Sequence, residues 1–241
     1  INRDIINYQI MSIFNILFLV FTALFIASAI VEITGYYKKI SLMEYIANPC
    51  MYVFLLASWI MVLTPLLPDS LNIIICVSAA VLFGLTGACL QFLPKTKKNV
   101  AASAIFFIAS FLSFIILIRP SFRLFSLPRW ASAAIFTAYL TLFVLYYIFS
   151  IGKRSLLKTA GITIFMIPLM VLHYGSILTL CGQPKLYSAL LFAGSTIFIA
   201  AQALIVKGFF VKASPKDRLF RMILYIAGQF FVTAGFSLMV V

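Results

Sequence analysis

The sequence predicts an all-α protein, a polytopic membrane bundle of about eight transmembrane helices. Three observations lead there. Of 241 residues, 64% are apolar and only 10% charged, whereas a soluble domain carries roughly 25% charged residues. So few charges cannot cover a water-facing surface, and the solvent must be largely lipid. The apolar residues fall in runs near the length of about 20 that crosses a bilayer core. The cations, finally, gather in short clusters between those runs.

Backbone amides cannot stay unpaired in lipid, so each long run must be helical. The first span is placed at 11–31, followed by the polar loop EITGYYKKISLMEYIAN. The second runs over 49–64 and ends in PLLPDS, a turn sequence. The third, 71–93, closes on PKTKK, and the fourth covers 100–118. The loop RPSFRLFSLPR leads to the fifth span, 130–150, and GKRSLLK to the sixth, 159–180. CGQPKLY precedes the seventh, 188–206, and KGFFVKASPKDR the eighth, 219–241. Loops this short make neighbours antiparallel, so residues 1–241 read as a single transmembrane domain.

The net charge is +13. Basic clusters between apolar runs fit loops facing anionic headgroups rather than nucleic acid. Thirteen cations fall in the loops after spans one, three, five and seven or just inside span eight, and five on the other side. The odd-numbered loops are therefore expected in the cytoplasm. The short loops point to a bacterial inner membrane. Cys50, Cys76, Cys89 and Cys181 form no CxxC pair, and no Cys/His cluster has metal-ligand spacing. All four are read as small buried apolar residues, and neither a metal nor a cofactor is expected.

Charged residues inside a span are costly and usually functional. Glu32 and Asp69 are expected at span ends and Glu44 in a loop, which leaves no carboxylate near the middle of a span. That disfavours a proton-coupled transporter or an ion pump. A retinal protein lacks its lysine, since span seven has none before Lys207. A small-molecule transporter or channel with an uncharged path stays open, although no internal repeat favours it.

The one histidine, His173, falls inside span six. It reads either as a general base or as a neutral imidazole bonded across helices. The second is preferred, because no acid is in sight to orient it. Pro168 is expected to kink the same span. Small residues gather at Gly84, Gly87 and Ala88, at Ala193 to Thr196, and at Ala227 and Gly228. Close helix packing explains most of that signal.

The order of several segments carries a resemblance. Asn48-Pro49 opens span two, and LFGLTGACLQFLP starts at Leu82 in span three. Span four has Ala109-Ser110 and Ser113. Span seven has SALLFAGST, with Ser188, Phe192, Ser195 and Thr196, and span eight has Tyr225 and Gln229. In these positions the chain resembles the YhhN family of lysoplasmalogenase-like membrane proteins, whose eight-helix architecture matches the count above.

The resemblance implies vinyl-ether hydrolysis of a lysoplasmalogen, which asks for an acid/base pair. The family's two intramembrane aspartates are the natural candidates. In this chain Ala88 and Thr196 stand in their places, Ser110 replaces a histidine and Asn48 a lysine. An alanine transfers no proton, and a threonine hydroxyl is far too weak an acid near neutrality. The stretch from Val81 to Leu93 thus looks like a relative of a catalytic helix whose acid is gone.

The resemblance then implies a protein that binds a single-chain lysophospholipid. Asn48, Gly87, Ser110, Ser195, Thr196, Tyr225 and Gln229 are the candidate binding residues, and no catalytic residue is assigned. An enzyme using Glu32 or Glu44, assisted by Tyr225 and His173, is the alternative.

Overall fold

The computed structural model describes residues 2–67, 70–90, 93, 96–151, 156–210 and 214–239, with no strand among them. The helices are α1 (Asn2–Lys38), α2 (Ser41–Leu63), α3 (Leu71–Leu90), α4 (Lys97–Ile118), α5 (Ser121–Leu124), α6 (Arg129–Ile151), α7 (Leu156–Gly182), α8 (Leu186–Phe210) and α9 (Pro215–Ser237). All but the four-residue α5 correspond to the eight expected spans. Among the described residues, seven helices are long and apolar enough to cross a membrane. The chain is a polytopic helical membrane protein.

The largest departure from expectation lies after span one. Instead of a long polar loop, α1 continues to Lys38 and α2 begins at Ser41. Lys39 takes a left-handed conformation, with φ 59°. The Ile40 amide donates to the Gly35 carbonyl at 2.8 Å and the Lys39 amide to that of Tyr36 at 3.2 Å. These are the two bonds of a Schellman helix end, which satisfies α1's last carbonyls within two linking residues. Gly35 permits it, since a β-carbon there would lie 2.7 Å from that of Met43. Glu44 accordingly sits in the first turn of α2 rather than in a loop.

Other corrections are smaller. The loop after α4 contains the short helix α5. The last helix ends at Ser237 rather than at residue 241. Cys181 is exposed, unlike the buried residue expected, and the other three cysteines are half-buried. Asp69, Lys95, Lys153, Arg154 and Lys212 lie outside the described residues.

The chain divides into two compact units. The first comprises Ile1–Phe114 and Thr233–Val241. Here α1 packs along α2, with the Phe18 and Trp59 rings 5.3 Å apart. The 3-10 turn Thr64–Leu66 carries the chain into α3, and the buried Ser70 hydroxyl ties back to the Leu63 carbonyl at 2.8 Å. Two serines seven residues apart join α3 to α4: Ser103 donates to the Gly87 carbonyl and Ser110 to that of Ala80, each at 2.7 Å. Seven residues return a helix to the same face, so both bonds hold one antiparallel register. Phe114 and Phe236 stack at 5.4 Å and 8°.

The second unit is Ile115–Val232. The short α5 docks on α7, where Thr179 donates to the Ser121 hydroxyl at 2.7 Å. Gly182 is the close approach that allows this, because a β-carbon there would collide with the Phe125 ring. α8 crosses α9 at two more glycines. Gly194 lies against the Val232 backbone and Gly228 against the Phe198 ring, so small residues let these backbones approach.

Candidate functional site

The candidate residues divide between the two units: Asn48, Gly87 and Ser110 lie in the first, and Ser195, Thr196, Tyr225 and Gln229 in the second.

In the first unit, Asn48 meets an unexpected partner. Glu32 is not at a span end; it lies within the span Met11–Lys38 and is only 3% exposed. The long α1 carries it inward, about two turns before the Schellman end at Lys39. Asn48 Nδ2 donates to Glu32 Oε1 at 2.7 Å. Glu32 Oε2 and Asn48 Oδ1 are buried without a hydrogen-bond partner. Glu32 is thus inside a span because α1 runs on to the turn at Lys39, while no described span carries a carboxylate near its middle.

Gly87 and Ser110 belong to the α3–α4 seam. A β-carbon on Gly87 would lie 3.2 Å from the Phe107 ring, and the Ser110 hydroxyl is committed to the Ala80 carbonyl. Ser113 bonds back to Ala109 within its own helix at 3.0 Å. Ala88, where the resemblance implies an acid, is buried and apolar. This seam is packing held by two hydroxyls.

The second unit holds a polar chain across three helices. Thr196 donates to the Phe192 carbonyl at 2.8 Å, which leaves its oxygen to accept from His173 Nε2 at 3.0 Å. His173 Nδ1 then accepts the proton of the Tyr139 hydroxyl at 2.5 Å. Both ring nitrogens meet neutral partners, so the imidazole is bonded across helices with no acid to orient it. The buried His173 thus matches the preferred reading, a histidine bonded across helices. One turn on, the Ser176 and Ser195 hydroxyls bond at 2.8 Å, and Ser176 also donates to the His173 carbonyl. No carboxylate takes part in this chain.

On α9, the Tyr225 ring packs at 5.4 Å on Phe198. Gln229, one turn along, is buried with neither amide atom hydrogen-bonded. Gln202 on α8 is in the same condition. It lies four residues beyond Phe198, so it shares the stripe of α8 that carries Gly194 and Phe198 toward α9. A buried amide left unbonded costs on the order of 1–3 kcal/mol, which makes these two side chains the most demanding polar groups of the unit.

Sequence reading missed Gln202, Tyr139 and Ser176. Gln202 had a signal, as an uncharged polar residue inside a span. Tyr139 and Ser176 had none, because only the packing of α6, α7 and α8 makes them partners. Among the described residues, no three His, Cys, Asp or Glu side chains converge.

Comparison with known proteins gives one match, the YhhN family model over residues 43–236. No curated protein and no solved structure matches the chain. Glu32 lies outside the matched segment.

Proposed function

The chain belongs to the YhhN family of membrane proteins, and on that premise we propose that it binds a single-chain lysolipid without hydrolysing it through a pair of intramembrane acids. Lysoplasmalogenase-like character holds at the level of the family. The observation that carries the reading is Thr196. At a position where the family resemblance implies an aspartate, a hydroxyl is closed between the Phe192 carbonyl and a neutral histidine. Ala88 at the other position has no proton to transfer. The unbonded amides of Gln202 and Gln229 support a polar guest in an otherwise apolar span. Membrane lipids are the natural partners, and no cofactor enters the reading.

The test uses purified protein in a neutral sugar detergent. Lysoplasmenylethanolamine is expected to bind, detected as retained lipid, without release of aldehyde. Aldehyde release by the unaltered protein, lost in Thr196→Val, overturns the reading. An Ala88→Asp/Thr196→Asp double variant that gains hydrolysis supports it.

A second reading has one observation in its favour: the buried Glu32 carboxyl, with an unbonded oxygen, is an acid inside the membrane. Under it, aldehyde release occurs and disappears in Glu32→Gln while Thr196→Val leaves it unchanged. As to topology, we place the loops after α1, α3, α6 and α8 in the cytoplasm of a bacterial inner membrane, from the distribution of cations. Reporter fusions in those loops check it.

A further inference from the structure

In the first unit, α1 and α2 enclose a carboxyl and an amide that are each satisfied at one atom and not at the other. Glu32 and Asn48 are 3% and 8% exposed. Asn48 Nδ2 donates to Glu32 Oε1 at 2.7 Å, while Glu32 Oε2 and Asn48 Oδ1 are buried without a hydrogen-bond partner. A carboxyl and a primary amide side by side can close a ring of two hydrogen bonds. The second bond needs something positive between the two remaining oxygens, because a carboxylate and an amide carbonyl both offer lone pairs only.

The charge around the pair is one-sided. Glu44 is the charged residue of α2 and lies one turn before Asn48 on the same stripe. Its carboxyl acts coulombically on that of Glu32. Tyr52, one turn after Asn48, is the other titratable group of that stripe. Lys38 and Lys39, the cations that follow on α1 and its turn, are exposed. A water molecule could donate to both orphan oxygens, yet it would leave the negative charge of Glu32 buried in an apolar span, which is costly. Room is limited as well. A β-carbon at Gly35, three residues after Glu32 on the same face, would lie 2.7 Å from that of Met43. Helices this close leave no space for an organic cation.

We propose that Glu32 and Asn48 form a binding site for one small monovalent cation, held between Glu32 Oε2 and Asn48 Oδ1. A proton and a sodium ion share the chemistry required, one positive charge accepted by two hard oxygens. A proton resides on Oε2 and donates to Oδ1, closing the ring. A sodium ion coordinates both oxygens. Either neutralises Glu32 and ties α1 to α2. The site stands whether or not the chain acts on a lipid, and Glu32 lies outside the segment that the family model matches.

The test is thermal unfolding of the purified protein in neutral sugar detergent, run against pH and against sodium chloride, with choline chloride as the matched salt. Glu32→Gln is one reference, because its amide supplies the missing donor covalently. Glu32→Leu/Asn48→Leu is a second, which deletes the site and keeps apolar packing. Glu44 and the other carboxyls are present in both references, so their titration cancels in the comparison. Relative to either reference, the unaltered protein is expected to lose stability as the occupant is withdrawn. Its folding constant changes by about tenfold for each tenfold change in the occupant's concentration, over the range in which the folded site is filled and the unfolded chain is not.

For a proton, the folded state binds more protons than the unfolded one, so stability falls as pH rises and sodium has no effect. For sodium, sodium chloride raises the melting temperature, choline chloride does not, and the effect is largest at alkaline pH. Either pattern supports the site and names its occupant. An unaltered protein that responds to pH and to sodium as both references do overturns it, since water then suffices for the two oxygens. A response to both salts alike overturns it too, because that is screening rather than binding.

Discussion

Replacing Gly194 by alanine tests whether the α8–α9 crossing is a backbone contact. The new β-carbon would lie 2.7 Å from the Val232 amide nitrogen, 2.8 Å from Val232 Cγ2 and 2.9 Å from Phe231 Cβ. Apolar contacts settle at about 3.5–4.0 Å, so the overlap is most of an ångström. Two of the blocking atoms are fixed by the α9 backbone, and the third belongs to a β-branched side chain that is stiff within a helix. Relief therefore requires the helices to separate.

Two contributions of opposite sign compete in Gly194→Ala. Helix propensity favours alanine by about 1 kcal/mol. Overpacking of a close contact costs typically 1–3 kcal/mol, and a backbone obstacle places this case at the upper end. The net expectation is destabilisation by about 1–2 kcal/mol.

Gly228→Ala is the internal control. Its β-carbon would meet the Phe198 ring edge at 3.0 and 3.1 Å, and a ring can tilt, so the two contributions nearly cancel. Thermal unfolding of both variants in detergent, followed by circular dichroism, gives the comparison. A Gly194→Ala protein as stable as the unaltered chain, or more so, would falsify the tight crossing.

Four further outcomes follow from other contacts. Lys39→Gly relieves a left-handed φ at the α1–α2 turn and is expected to raise stability by about 1 kcal/mol in the same unfolding assay. Asn48→Ala removes the hydrogen bond to Glu32 Oε1 and is expected to cost about 1–3 kcal/mol, while Glu32→Leu together with Asn48→Leu recovers most of the loss; a single Asn48→Ala without effect refutes the pairing. Ser110→Ala deletes one of two seam bonds and is expected to cost about 0.6 kcal/mol, with Ser103→Ala alike. Gln229→Leu removes an unbonded buried amide, so ligand-free protein is expected to gain about 1 kcal/mol or more, and a lower melting temperature shows that the amide is already satisfied.

The eight long helices were legible because lipid leaves a chain little choice. Runs near twenty apolar residues must be helical, and span positions came within a few residues of α3, α4, α6, α7 and α8. The membership of the family was legible too, through loosely spaced residues such as Gly87, Tyr225 and Gln229. What misled was polarity. EITGYYKKISLMEYIAN reads as a loop by hydropathy, yet helix ends are set by local hydrogen bonds, and a Schellman end at Lys39 makes this segment two helix termini.

Composition and run length alone thus determined that the protein is helical and lives in a membrane, since both follow from where a chain buries its amides. Tertiary structure alone decided which polar atoms meet. Glu32 and Asn48 are sixteen residues apart, and Tyr139 and His173 thirty-four. Hydrogen bonds act over a few ångströms and carry no trace in the spacing of distant residues. The same holds for the Phe125 ring, which finds room against Gly182 because no side chain stands there.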